Sequence, residues 1–133
     1  TDVSNIAANS TWSVLTWNTE RFDQNADFDL SNEQFSAPVS GKYNLQAQIR
    51  LENIDSAADY YIFRLSTSNE SYKLLFDPDF GQDNIYWSMT LSVLADMDAG
   101  DVAKVSILQN GGTAQTDIDG DVEYTFFSGY LVA

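Results

Sequence analysis

The amino-acid sequence predicts an all-β protein, built as an antiparallel sandwich of two β-sheets. Apolar and polar residues alternate strictly over two long stretches, residues 43–51 and 85–95, as expected of strands with one buried face. Turn-forming residues separate about eight to ten short strand-like stretches, and no segment of useful length has helical periodicity. Strands that follow one another through turns, without intervening helices, favour an antiparallel sandwich over a parallel fold.

The N-terminal part is predicted to contain little regular structure. Residues 1–11 form a polar lead-in without periodicity. Residues 12–17 are rich in β-branched and aromatic side chains, which predicts a first strand that ends at Asn18. Residues 23–32 are rich in Asp and Asn, which predicts a loop with a short strand around Phe28.

The longest predicted strand follows a corner in the chain. Pro38 has no amide hydrogen to donate and Gly41 tolerates positive φ angles, so the residues between them turn the chain into the strand. Alternation then continues to residue 52, and residues 53–59 close the strand. The predicted buried positions are Tyr43, Leu45, Ala47, Ile49 and Leu51.

The remaining strands are separated by clear turns. The turn Ser68-Asn69-Glu70 joins the first two of them into a hairpin. The final strand is predicted to hold the C-terminus close to the start of the chain, with loops clustered at the opposite end of the sandwich. The predicted ranges are 59–67, 72–76, 85–95, 102–109 and 122–132.

Length and hydropathy point to a single globular domain over residues 1–133. A chain of 133 residues buries about two thirds of its unfolded surface, which is enough for one core. No apolar run approaches the roughly 20 residues of a membrane-spanning helix, so we expect no membrane insertion. Because the chain starts at Thr1 and not at a methionine, we expect a domain taken from a longer protein.

Charge and residue types exclude several classes of function. A formal net charge of -14 repels nucleic acid and anionic lipid. The sequence has no cysteine and no histidine, which excludes disulfides, zinc-thiolate sites and the usual general base. Only Lys42, Lys73 and Lys104 could activate a serine, and none lies in a serine motif. We therefore predict that the chain is not an enzyme.

One motif connects the chain to a known family. Phe35-Ser-Ala-Pro38-Val-Ser-Gly41-Lys-Tyr43 resembles the F-x-x-P-x-x-G-x-Y signature of the C1q-like family, the globular heads of the first complement component and their bacterial and phage relatives. Residues 18–23, 99–102 and 127–131 are similar to further segments of that family, whereas residues 53–84 match only by pattern. The resemblance narrows the sandwich to a jelly roll, shared by C1q and tumour necrosis factor.

The resemblance also implies an assembly and a role. Members of the family form homotrimers around a threefold axis lined by apolar and aromatic residues, and adjacent pairs such as Phe126-Phe127 would leave such residues outside the core. The Phe22-Asp23 and Phe28-Asp29 segment, the Phe-Ser-Gly-Tyr-Leu ending and the absence of cysteine are similar to phage and bacterial copies. An extracellular or virion-surface location follows from the same resemblance.

Three functions are consistent with these observations. The first is a trimeric binding head, the receptor-binding or decoration module of a phage or bacterial structural protein, with a cell-surface glycan or protein as its ligand. The second is a carbohydrate-binding module of a polysaccharide-degrading enzyme, which is also a jelly-roll sandwich. The third is a purely structural trimerisation domain without a ligand.

Three tyrosines are the candidate interface or ligand residues. Tyr60, Tyr86 and Tyr130 lie among polar positions or on a strand face that has apolar residues of its own. Tyrosine combines a large apolar ring with a polar hydroxyl, which suits it to protein interfaces and to stacking on sugar rings.

An acidic cluster before the final strand is a candidate calcium site. Asp117, Asp119 and Asp121 alternate around Gly120 and offer the hard oxygen ligands that Ca²⁺ prefers. The spacing departs from an EF-hand loop, but several C1q-like heads bind calcium near the apex of the trimer in loops of this kind. The alternative is a hairpin turn at Asp119-Gly120 with solvated flanking acids.

Overall fold

The structure, a computed structural model, describes residues 2–15, 28–29 and 33–133. Within these ranges the chain forms β-strands and no helix, which confirms the all-β prediction. None of the described residues therefore belongs to a helix long and apolar enough to cross a membrane. The strands are β1 (Ser13–Val14), β2 (Phe28–Asp29), β3 (Gln34–Ser36), β4 (Gly41–Glu52), β5 (Tyr60–Thr67), β6 (Ser71–Phe76), β7 (Tyr86–Met97), β8 (Val102–Asn110), β9 (Asp117–Asp119) and β10 (Phe126–Leu131).

The strands form two antiparallel sheets, as predicted. The six-stranded sheet has the order β2-β3-β8-β5-β6, with β1 also paired to β8. The four-stranded sheet has the order β10-β4-β7, with β9 also paired to β4. Among the described strands the chain crosses between the sheets five times, from β3 to β4, β4 to β5, β6 to β7, β7 to β8 and β8 to β9, as in a jelly roll.

The core lies between the two sheets and follows the predicted period of two. Every second residue of β4 from Tyr43 to Leu51 is at most 1% exposed. The inward residues of β5 that face them, Tyr61, Phe63 and Leu65, are fully buried. Because successive side chains of a strand point to opposite sides, the intervening residues of each strand form an outer face.

The signature motif builds the corner at one end of the sandwich. The hydroxyl of Tyr43 donates a hydrogen bond to the carbonyl oxygen of Val39 at 2.6 Å and accepts one from its amide at 3.3 Å. The ring of Phe35 meets that of Tyr43 edge to face, with centroids 5.7 Å apart. A Cβ atom on Gly41 would lie 2.7 Å from the carbonyl oxygen of Ala133, so only glycine fits there. The motif is therefore a structural corner.

The two ends of the sandwich differ in what they contain. At the end we call the base, Gly41 lies opposite Met97 and the amide of Lys42 donates to the carbonyl of Ala133. At the other end, the apex, β4 ends at Glu52 opposite the first residue of β7. The loops 53–59, 77–85 and 111–116 lie there.

The N-terminal segment does not lie near the C-terminus, so that prediction is wrong. Val3 forms a bridge with Ile118 at the apex, and the chain then runs antiparallel along β8 until Ser13 pairs with Ile107. The predicted lead-in is packed on the domain, with Ile6 only 3% exposed. The lead-in forms backbone hydrogen bonds with the edges of β8 and β9. Its polar composition does not predict this pairing.

Most strand boundaries agree with the prediction within two residues. The short strand around Phe28 is β2, and the predicted hairpin is β5 with β6. The predicted last strand begins later, at Phe126, because residues 121–125 form a turn in which the amides of Tyr124 and Thr125 donate to the carbonyl of Asp121. The end of the first predicted strand at Asn18, the segment 18–23 and most of the loop 23–32 lie outside the described residues.

Candidate functional site

The outer face of the four-stranded sheet lacks charge over most of its length. On β4, β7 and β10 the outward residues between the two charged ends are all uncharged, in a chain of which 20% is charged. An ion pair of Lys42 and Asp96, 4.0 Å apart, bounds this region at the base, and Arg50 bounds it at the apex. We call it the neutral face: Asn44, Gln46, Gln48, Ser88, Thr90, Ser92, Leu94, Phe126, Ser128 and Tyr130.

Two large side chains on this face are open to solvent. Tyr130 is 60% exposed and Leu94 is 57% exposed, and the two flank Asn44 in one cross-strand row. The side-chain oxygen of Asn44 is buried and has no hydrogen-bond partner among the described residues. An unsatisfied buried acceptor is uncommon in a folded protein, and a donor from another molecule can satisfy it.

The structure separates the three candidate tyrosines. Tyr130 lies on the neutral face, and Tyr86 lies on the same side of the same sheet but at the apex, 61% exposed. Tyr60 starts β5 in the other sheet, where it is half-buried and paired with Asn110. The three therefore do not form one site, although two of them share a sheet face.

Arg50 organises the apex end of that face, and sequence reasoning missed its role. Its guanidinium lies 4.7 Å from the ring centre of Tyr86 and 3.8 Å from that of Tyr124. It also pairs with Asp119 on β9 and with Glu52 at 3.3 Å. Desolvation by itself would lower the pKa of Arg50. The pKa is nevertheless raised, because Asp119 attracts the guanidinium and accepts a hydrogen bond from it.

The acidic cluster is built differently from the predicted loop. Asp117 and Asp119 belong to β9, which pairs with β4, and both point away from the core while Ile118 between them is buried. Asp117 accepts the amide of Asn5 at 2.7 Å, Asp119 pairs with Arg50, and Asp121 accepts a backbone amide two residues along at 3.0 Å. Among the described residues no group of three or more acidic side chains is placed so that it could hold a metal ion. Calcium at this cluster stays a prediction.

The outer face of the six-stranded sheet carries cations instead. Three of the six basic residues in the sequence, Arg64, Lys73 and Lys104, point outward from β5, β6 and β8. Arg64 lies directly opposite Lys73, and its guanidinium is 3.8 Å from the ring centre of Trp12. We call this set the basic face: Trp12, Arg64, Ser66, Ser71, Lys73, Lys104 and Ser106.

Comparison with known proteins identifies the fold. The globular domain of zebrafish complement 1qA protein matches 99% of this chain and 95% of its own length, with a TM-score of 0.60 and 20% sequence identity. This likeness confirms the C1q-like jelly roll that the signature motif predicts. No protein-family model matches the chain.

A sequence match of another kind covers half of the chain. The stress response protein NST1 of two Cryptococcus neoformans strains is 36% identical over 73 residues. The aligned stretch makes up 53% of this chain but only 5% of that protein. A match to so small a part of a protein does not carry over what the whole protein does.

Proposed function

We propose that this C1q-like jelly roll assembles as a homotrimer through the neutral face and acts as a non-catalytic binding head. In this proposal it is the receptor-binding or decoration module of a phage or bacterial structural protein, displayed on a virion or cell surface. The observation that carries the assembly is the uncharged outer face of β4, β7 and β10 in a strongly acidic chain.

Electrostatics explain why such a face suits self-association. Each copy carries a formal charge of -14, so two copies repel each other. The repulsion is smallest where the contacting surfaces contain no charged side chains. Lys42 and Arg50 are separated by eight residues of β4, which is about 27 Å at the rise of an antiparallel strand. The middle of the face, at Gln46, is then about 13 Å from either charged end, beyond the Debye length of about 8 Å at physiological salt.

The exposed groups on the neutral face favour a protein partner over water. Tyr130 and Leu94 offer apolar surface, and the residues around them are small or amide side chains that can form hydrogen bonds across a contact. The unsatisfied oxygen of Asn44 lies between them. A partner with the same composition can cover the apolar groups and supply that oxygen with a donor, so a second copy of this chain fits the face.

The setting and the non-catalytic role rest on the sequence. The ending Phe127-Ser-Gly-Tyr-Leu131 and the lack of cysteine are similar to phage and bacterial copies of the C1q-like family. Without histidine and cysteine the chain lacks the most common general base and the thiolate nucleophile.

The mass of the protein in solution tests the proposal. Light scattering after size exclusion is expected to give three times 14.8 kDa for the natural chain. Leu94→Lys places a charge on the neutral face and is expected to give monomers. Leu75→Lys is the matched control, because Leu75 is 56% exposed on the outer face of the other sheet, and it should leave the trimer intact.

Two results would overturn the trimer. A natural chain of 14.8 kDa at micromolar concentration would contradict it and favour the monomeric carbohydrate-binding module. Dissociation by Leu75→Lys but not by Leu94→Lys would place the contact on the other sheet.

A further inference from the structure

The basic face gathers cations in a chain that has few of them. Lys73 lies directly across from Arg64, and Lys104 lies across from Ser66, one row further along the same face. Like charges directly opposite each other on neighbouring strands repel. The sequence has only 6 basic residues against 20 acidic ones, so three on one face are not explained by the average composition.

These cations have no acidic partners in the described part of the chain. The ion pairs there involve only Lys42 and Arg50. Arg64 donates one hydrogen bond, from Nε to the hydroxyl of Ser106 at 3.1 Å, which leaves its two terminal nitrogens without a described acceptor. Desolvation lowers the pKa of Arg64, so its charge gains from an anion that approaches it.

Groups that suit a sugar surround the cations. The ring of Trp12 covers one side of the Arg64 guanidinium, and the amine of Lys73 is 5.9 Å from the same ring. The hydroxyls of Ser66 and Ser71 occupy neighbouring positions, and the row beside Arg64 and Lys73 is apolar, with Ile62 next to the exposed Leu75. Saccharide-binding surfaces combine an apolar or aromatic platform with a few polar groups that fix orientation.

We infer that the basic face binds an acidic saccharide, a sugar that carries a carboxylate or a sulfate group, between Arg64, Lys73 and Lys104. A planar anion can accept two hydrogen bonds from the free edge of the Arg64 guanidinium. The two lysines supply further positive charge on either side of it. Serine hydroxyls and the apolar row then contact the sugar ring.

The ligand is a short, sparsely charged molecule rather than a polyanion. With a net charge of -14 the protein repels a long polyphosphate over most of its surface, and a patch of three cations offsets that repulsion only locally. The inference extends the proposed function, because it names a ligand class for the binding head. The proposed saccharide site and the proposed trimer contact lie on different sheets. An experiment can therefore contradict one proposal without contradicting the other.

Calorimetric titration of the full chain at low ionic strength tests the inference. Trigalacturonate, which carries only carboxylates, probes the carboxylate, and a sulfated galactotriose, which carries no carboxylate, probes the sulfate. Galactotriose is the uncharged sugar control, and triglutamate is the acidic control without a sugar. At least one acidic saccharide is expected to bind at least tenfold more tightly than either control, and comparison of the two identifies the preferred anion.

Matched lysine variants locate the site. Lys73→Gln is expected to weaken binding about tenfold, whereas Lys42→Gln removes the same charge at the base and should leave the affinity unchanged. Light scattering of both variants should show the same oligomer as the natural chain. Failure of both acidic saccharides to bind, equal binding of triglutamate, or equal weakening by the two variants would overturn the inference.

Discussion

The outer faces of the two sheets have opposite character, although the strands beneath them follow the same alternation. On β4 the outward residues between the two charged ends all carry amide side chains. On β5 and β6 the central outward pair is Arg64 and Lys73. The inward residues of β4 and β5 are equally apolar and equally buried. Burial requires apolar residues on the inner face of a strand but places no such requirement on its outer face. Differences in function between the two sheets are therefore expected on their outer faces.

Two arginines illustrate the difference at the level of single contacts. Arg50 and Arg64 both stack on aromatic rings at 3.8 Å. Arg50 is also paired with Asp119 and Glu52, so its charge is compensated inside the protein. Arg64 has no ion-pair partner among the described residues, and in our inference its charge binds a ligand. We therefore assign a structural role to the first and a binding role to the second.

The largest effect is expected from a charge placed at the centre of the neutral face. Gln46→Glu keeps the shape of the side chain and adds one negative charge to each copy. Two unit charges about 10 Å apart repel by about 1.7 kcal/mol at an effective dielectric constant of about 20, and a trimer contains three such pairs. Sedimentation equilibrium is expected to show at least tenfold weaker association, partly restored by high salt.

The control for this change adds the same charge elsewhere. Gln82 is exposed in the loop between β6 and β7 at the apex, so Gln82→Glu should leave association unchanged. Equal weakening by both substitutions would mean that net charge alone governs association, and the distinction between the two faces would lose its support.

A smaller effect is expected from the two arginines. Arg50→Gln removes the partner of Asp119, whose side chain is only 11% exposed, and leaves a largely buried carboxylate without its cation. Arg64→Gln removes a cation that has no such partner. Thermal unfolding is therefore expected several degrees lower for Arg50→Gln, with a smaller decrease for Arg64→Gln. An equal or reversed order would contradict the two roles assigned above.

The sequence predicts the base of the molecule better than its apex, for a physical reason. The corner from Phe35 to Tyr43 depends on residues a few positions apart, and the period of two in β4 is a local pattern. Both are therefore visible in the sequence. The predicted closeness of the two termini failed because it depended on how distant segments pair.

The apex cluster could not be predicted in the same way. Arg50 meets Tyr86, Asp119 and Tyr124 only because β7 and β9 pair with β4 in a particular register. One signal was present, since Arg50 is a cation at the end of a polar strand face and next to Glu52. The basic face was equally hidden, because its three cations come from three strands.

The smallest expected effect concerns calcium at Asp117, Asp119 and Asp121, which lie at the apex beyond the neutral face. Calcium sites of extracellular modules have dissociation constants of about 0.1 to 1 mM, so 10 mM Ca²⁺ would add about 1.4 kcal/mol at the weak end of that range. Asp119 forms an ion pair with Arg50, and Arg50 therefore competes with Ca²⁺ for this carboxylate. We expect the melting temperature to be only about 1 to 3 °C higher in Ca²⁺ than in EDTA. Asp121→Asn should abolish this rise, whereas Asp96→Asn, at the base, should preserve it. If the natural chain melts at the same temperature in both buffers, the cluster is a strand and a turn whose carboxylates bind only the protein's own donors.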